Sequence, residues 1–215
     1  MLGYATADKR NPCGVFTALE DMSQAVRQIC EMDSESPLFL LDFSAGGHLC
    51  ALFANVWKQE EEKGGENFRP AGTVLCYPAL SFDKILHGLK SEDMPPEMSD
   101  QLEAFQALVR KGLFGSENAE EDMESIDVIS KVNQETPASF VWGTMEDELI
   151  NPDTLFSYQK ALEHYGTECR LTMFEKGNHG LSLAAKETAF NENMINEEVA
   201  GWVEAAAQWM KEKAA

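Results

Sequence analysis

The sequence predicts an α/β protein built on a mostly parallel sheet, and three observations carry that expectation. First, four short apolar runs have the length and composition of strands buried on both faces. They are Leu-Phe-Leu-Leu-Asp-Phe at 38–43, Thr-Val-Leu-Cys-Tyr at 73–77, Ala-Ser-Phe-Val-Trp at 138–142 and Cys-Arg-Leu-Thr-Met-Phe at 169–174. Second, these runs alternate with segments of helical periodicity, the pattern of βαβ units with right-handed crossovers. Third, reactive side chains follow three of the four runs directly, and open parallel sheets build their sites at the carboxyl ends of their strands.

The elements can be justified in order. Leu2-Gly3-Tyr4 reads as the end of a strand with no beginning. Thr17-Ala-Leu-Glu20 fits a capping box, and Leu19, Met22, Val26 and Ile29 recur at helical spacing, which predicts a helix over 18–31. A second helix, 45–62, follows the strand at 38–43 at once and runs into acidic residues and then Lys63-Gly64-Gly65. Pro78 stops the strand at 73–77. Residues 81–135 break the rhythm: Pro95-Pro96 precedes a predicted helix at 99–112, an acidic loop follows Phe114, and a short helix is expected over 125–132. This stretch reads as an excursion or lid within one domain spanning 1–215. Asn151-Pro152 caps and opens a helix ending near Gly166. A final helix, 195–213, carries Val199, Trp202, Val203, Ala206 and Trp209.

Composition bounds the function. The chain has 215 residues, 44% of them hydrophobic and 25% charged, enough to bury a core and unlike a disordered chain or a small disulfide scaffold. A formal charge of −20 repels phosphate, so neither nucleic acid nor an anionic membrane is an expected partner. The five cysteines (Cys13, Cys30, Cys50, Cys76, Cys169) are scattered, odd in number and outside any CxxC pair, which suits reduced thiols in a cytoplasmic protein. No apolar run reaches membrane-spanning length, and the first residues lack the basic and apolar regions of a signal peptide.

Ser44-Ala45-Gly46-Gly47-His48 follows the strand at 38–43. The tripeptide pattern alone fits an ordinary strand-to-helix turn. With a strand before it and a helix after it, the setting is that of a nucleophile elbow, in which small neighbours permit the sharp bend and the Ala45 N–H points toward an oxyanion. Gly143-Thr-Met-Glu-Asp-Glu-Leu-Ile150 follows the strand at 138–142, and Asp147 is the best placed of its acids to orient an imidazole, although the loop alone would pass for a solvated acidic turn. Asp83 is a second candidate acid. Glu175-Lys-Gly-Asn-His-Gly180 follows the strand at 169–174, and His179 lies on a loop where a ring nitrogen can be presented. The order Ser44…Asp147…His179 is that of α/β-hydrolase triads. His48 is expected to pack under the elbow, and His87 and His164 to be peripheral. Tyr77-Pro78 reads as a strand stop or a pocket wall. No histidine pair has metal-ligand spacing, no glycine-rich phosphate loop is present, and acyl transfer by a triad needs no cofactor.

Three stretches, Leu41–Leu49, Val141–Ile150 and Phe174–Ala184, resemble the α/β-hydrolase esterase/lipase family, and more narrowly its acetyl-esterase-like branch, often labelled xylanase or sugar-ester hydrolase. The resemblance implies a three-layer α/β-hydrolase sheet with Ser44 as nucleophile, His179 as base and Asp147 as acid. The xylanase label would imply glycosidase chemistry, which needs two paired carboxylates rather than this triad. Two departures stand out. Asp42 occupies the position where the family's elbow has glycine. The family's first strands, with its His-Gly-Gly-type oxyanion loop, have no counterpart here, so the nucleophile strand is expected at an open edge. A truncated product, or completion by another chain such as a homodimer partner covering that edge, would account for this. The leading expectation is a serine esterase acting on a short acyl ester, such as an acetylated sugar. The alternatives are a catalytically impaired α/β-hydrolase remnant with a binding role or none, and a peptidase on the same fold.

Overall fold

A computed structural model describes residues 13–64, 69–88, 95–117 and 120–215. Chain order is α1 (Val15–Met32), β1 (Phe39–Phe43), α2 (Ser44–Gly64), β2 (Gly72–Cys76), a π-helical turn (Lys84–Gly88), α3 (Pro96–Phe114), α4 (Met123–Ile126), β3 (Ser139–Thr144), α5 (Asp153–His164), β4 (Cys169–Phe174), a 3₁₀ turn (Glu192–Met194), α6 (Glu197–Ala200) and α7 (Trp202–Ala214). The four strands form one parallel sheet in the order β1-β2-β3-β4.

Successive strand side chains point to opposite faces, and the core divides accordingly. Leu40, Leu75 and Val141 face α1, α2 and α5, meeting Val26, Phe53, Tyr158 and Leu162. Val74, Cys76, Phe140 and Trp142 face the other way and are covered by α6 and α7 through Val199, Trp202, Ala206 and Trp209. The continuous apolar runs seen in the sequence are the consequence of helices on both sides of β2 and β3.

Within β2, the Thr73 N–H donates to the Ala138 carbonyl, and just beyond it the Tyr77 N–H donates to the Trp142 carbonyl (3.0 and 2.6 Å). The odd-numbered residues of β2 therefore face β3 and the even-numbered ones face β1. The same phase, carried through the register Phe39↔Gly72 to Phe43↔Cys76, turns the backbone groups of Phe39, Leu41 and Phe43 outward. Among the described residues no strand lies on that side. A groove of about 450 Å³ runs along it, walled by Met22, Val26 and Ile29 from α1 and by Leu38, Leu41 and Leu49.

Several local expectations need correction. Helix α1 begins at Val15, so Thr17 lies inside it and is not a cap; Gly14 is the N-cap, and its carbonyl accepts the Thr17 and Ala18 N–H groups. A side chain at Gly14 would meet the Leu113 carbonyl at 2.7 Å, so the close approach of the start of α1 to the end of α3 requires glycine there. The short helix expected over 125–132 is only α4. Asp127 Oδ1 accepts the Ile129 and Ser130 N–H groups (2.9 and 3.3 Å), and this local turn ends the helix. The final helix is interrupted at Gly201, whose N–H bonds three residues back to Glu198. Helix α3 is longer than expected, opening with Pro96 in its first turn and closing on left-handed Gly115 (φ +82°). Leu2–Tyr4 and Gly65 lie outside the described residues, as does part of the acidic loop.

Candidate active site

Each strand delivers one element of the site at its carboxyl end. Ser44 follows β1 directly and is the first residue of α2, at φ +51°, a left-handed conformation unfavourable for a side-chain-bearing residue. Small neighbours allow the bend. A side chain at Gly46 would lie 2.3 Å from the Asp42 carboxyl carbon, and one at Gly47 would lie 2.9 Å from Pro78 Cβ. Asp42 Oδ1 accepts the Phe43 N–H at 2.8 Å, which occupies one of the outward-facing donors of β1. The Ser44 carbonyl accepts the Ala79 N–H (3.0 Å), tying the loop after β2 to the elbow. Ala45 is exposed in the first turn of α2, where backbone N–H groups have no intrahelical acceptor.

The loops after β3 and β4 complete the constellation. Asp147 is buried; its Oδ1 accepts the Leu149 and Ile150 N–H groups (2.9 and 2.8 Å), which fixes the carboxylate. Its Oδ2 lies 2.8 Å from His179 Nδ1, and His179 Nε2 lies 2.7 Å from Ser44 Oγ. With Nδ1–H donating to the carboxylate, Nε2 is the acceptor for the serine hydroxyl. Three residues separated by as many as 135 positions thus form one continuous relay. Asp83, the other candidate acid, pairs instead with the Ser81 hydroxyl (3.2 Å).

Sequence reasoning left several supporting residues unassigned. Glu146 Oε2 accepts the Gly177 N–H (3.1 Å), and the Thr144 hydroxyl donates to the Gly177 carbonyl, so the end of β3 holds the loop that carries His179. Gly177 sits at φ +136° against Leu181 and Thr144, which suits only glycine. Tyr77, also left-handed (φ +38°), is buried. Its ring packs edge-on to His179 and to Trp142, both at 5.0 Å between centroids. Burial pushes its phenol up to about 12. None of these roles has a local sequence signal, because each depends on a partner from another loop.

The other histidines are bland. His48 is fully buried below the elbow, with Nδ1 donating to the Ala79 carbonyl (3.0 Å), its ring against Phe82 and Nε2 without a partner. Burial pushes its imidazole down to about 4. His87 pairs with Glu121 at 3.0 Å. Among the described residues no group of three His, Cys, Asp or Glu side chains is placed to hold a metal ion.

Known proteins were compared with this arrangement. No protein-family model matches the chain. Endo-1,4-beta-xylanase B of Butyrivibrio fibrisolvens is 26% identical over 178 residues, covering 79% of this chain and 25% of the xylanase. The chain therefore spans about a quarter of the length of that curated relative. A carboxylesterase from Lactobacillus plantarum WCFS1 superposes with a TM-score of 0.72 at 20% identity, over 93% of this chain and 69% of the esterase. A sugar hydrolase from Lactococcus lactis gives 0.69 at 26% identity, again over 93% and 69%. An acetyl ester-xyloside bifunctional hydrolase from Caldicellulosiruptor lactoaceticus gives 0.66 at 23%, over 94% and 67%.

The chain has the α/β-hydrolase fold.

In this chain the sheet starts, among the described residues, at the strand that carries Ser44. About a third of each of these three solved structures lies outside the shared part. Among the described residues no helix is long and apolar enough to cross a membrane.

Proposed function

We propose that the protein is a serine esterase that hydrolyses a carboxylic ester through an acyl-enzyme, with Ser44 as nucleophile, His179 as general base and acid, and Asp147 as the group that orients the imidazole. The observation that carries this reading is the unbroken relay from Ser44 Oγ to His179 Nε2 (2.7 Å) and from His179 Nδ1 to Asp147 Oδ2 (2.8 Å). His179 Nε2 takes the hydroxyl proton as Oγ attacks the acyl carbon, and the imidazolium that forms is stabilised by Asp147. The tetrahedral oxyanion faces the Ala45 N–H. As the intermediate collapses, His179 returns the proton to the departing alcohol. Water then attacks the acyl-enzyme with His179 again as base, releasing the carboxylic acid and restoring Ser44.

A short acyl group such as acetyl, carried on a sugar or small alcohol, is the proposed substrate. Its support is the kind of proteins this fold resembles, which include an acetyl ester-xyloside hydrolase and a xylanase. Glycosidic cleavage has less support, because it needs two carboxyl groups flanking the bond, whereas Asp147 is engaged with His179 and two backbone donors. A second reading is an impaired hydrolase with a binding role or none, and Asp42 beside the elbow favours it. We also propose a cytoplasmic location, on the support of five free thiols, and a homodimer whose contact covers the outer edge of β1, on the support of its outward-facing backbone and apolar groove.

The test is hydrolysis of p-nitrophenyl acetate by the purified protein beside Ser44→Ala. Turnover that depends on Ser44 supports the esterase. A folded protein no faster than the variant, and unlabelled at Ser44 by a fluorophosphonate, supports the impaired hydrolase.

A further inference from the structure

We propose that Tyr77 is a positioning residue for His179, its ring bracing the imidazole and its hydroxyl holding the turn that follows it. The inference rests on the reading of Ser44, His179 and Asp147 as the catalytic relay, and goes beyond it by naming what keeps the base in place.

The Tyr77 ring stands edge-on to the His179 imidazole, with centroids 5.0 Å apart and planes at 75°. The Tyr77 hydroxyl accepts the Ser182 N–H at 3.0 Å. The carbonyl of the same residue accepts the Trp202 indole N–H at 3.1 Å, so Ser182 is gripped on both sides, from the β2 loop and from α7. Ser182 and Ala184 are both left-handed (φ +56° and +53°), conformations that persist only where the surroundings impose them. Tyr77 itself is left-handed (φ +38°) and is locked by its backbone bond to Trp142 and by ring contacts with Trp142 and Phe43 (5.0 and 5.7 Å). Trp202 stacks on Trp142 at 5.4 Å. Tyr77, Trp142 and Trp202 thus form one aromatic cluster that reaches the base through Tyr77.

The physical need is clear. Asp147 and Ser44 engage the two ring nitrogens of His179, and hydrogen bonds to ring nitrogens leave the rest of the imidazole to be held by packing. On the upstream side of His179 the loop is held at Gly177 by Glu146 and Thr144, whereas on the downstream side the next residue is the left-handed Gly180, with no side chain to pack. A buried aromatic ring in T-shaped contact with the imidazole and a clamp three residues downstream supply what the downstream side of the loop lacks. With its phenol pushed up to about 12 by burial, Tyr77 keeps its proton throughout the working range, so its role is packing and hydrogen bonding and not proton transfer.

The experiment compares Tyr77→Phe, Tyr77→Leu and Trp202→Phe with the parent protein. Readouts are kcat and KM for p-nitrophenyl acetate, the rate of fluorophosphonate labelling of Ser44, and the low-field proton resonance of the His179 Nδ1–H bonded to Asp147. Tyr77→Phe keeps the ring and loses the clamp: kcat and labelling are expected to fall about 3–10-fold with KM within about twofold. Trp202→Phe, which frees the Ser182 carbonyl, is expected to fall in the same range. Tyr77→Leu loses both and is expected to fall about 100-fold, with the low-field proton broadened or lost. Phe in place of Leu rescues most of the rate. Parent-like kcat, labelling and low-field proton in Tyr77→Phe and Trp202→Phe would overturn the proposal, whether or not Tyr77→Leu folds. If turnover survives Ser44→Ala, the catalytic reading fails instead; the low-field proton still reports on His179, so the two failures are distinguishable.

Discussion

Asp42 and Gly46 meet across the turn that carries Ser44, the Asp42 carboxyl filling the space that a side chain on Gly46 would need, 2.3 Å from its Cβ position. The α/β-hydrolase elbow thus accepts a charged residue two places before its serine because the residue two places after it has no side chain. Asp42 also returns a hydrogen bond to the Phe43 N–H, so its carboxylate is used locally.

This relationship predicts a coupled pair. Gly46→Ala alone should destabilise the protein by about 1–3 kcal/mol through overpacking. Asp42→Gly with Gly46→Ala should recover most of that loss. Denaturant unfolding of the four proteins measures the coupling, and additive effects would show that the two residues do not contest the same space.

Loss of the proposed nucleophile or base should remove turnover while leaving the fold. Ser44→Ala and His179→Ala are expected to lower kcat/KM for p-nitrophenyl acetate by about 10³-fold or more. Asp147→Asn keeps the shape but presents the wrong hydrogen-bonding group to Nδ1, and a loss of about 10²–10⁴-fold is expected. Circular dichroism checks that each variant is folded; parent-like turnover in Ser44→Ala would remove Ser44 from the mechanism.

His48 should make stability fall in mild acid. Its imidazole is held at about 4 in the fold, against an ordinary value of 6.5, because burial disfavours the charged ring. Between those values the unfolded chain binds a proton that the folded chain does not. Stability therefore rises with pH across that window: the contribution is complete above 6.5 and is lost as pH falls toward 4. The full effect is about 3 kcal/mol. His48→Asn can still donate to the Ala79 carbonyl but does not titrate. The difference in unfolding free energy between parent and variant should therefore shift toward the variant from pH 7 to pH 4. A constant difference would mean that the ring is not shielded.

The thiols should be slow to react in the native state. Cys50 and Cys76 are buried, and burial raises both thiols, Cys76 to about 12; Cys169 is likewise held at about 12. Cys50, Cys76 and Cys169 of the native protein should therefore react slowly with a disulfide reagent at pH 8, while denatured protein should titrate all five cysteines at once. A fast burst of more than two thiols from the native protein would mean that these three sites open.

The strand runs were legible in the sequence because burial on both faces imposes continuous apolar stretches, and β4 is observed over the residues expected, Cys169–Phe174. Element ends were less legible where another segment decides them. The N-cap of α1 is Gly14, packed so close to the carbonyl of Leu113, nearly a hundred residues away, that a side chain would clash, and α4 ends because Asp127 captures two N–H groups that a longer helix would need. Neither competing interaction leaves a mark on hydrophobic periodicity.

For the site, the sequence by itself determined which residue types follow each strand and in what order: Ser44, Asp147 and His179, with small residues behind the serine. Those features depend on local chain geometry, which neighbours in sequence control. Only the tertiary structure decided that Asp147 rather than Asp83 reaches the imidazole, that Glu146 and Thr144 hold Gly177, and that Tyr77 and Trp202 grip Ser182 from two elements. Distances of 2.7 to 3.1 Å between residues up to 135 positions apart follow from sheet order, register and helix packing together, and short-range pattern contains none of these.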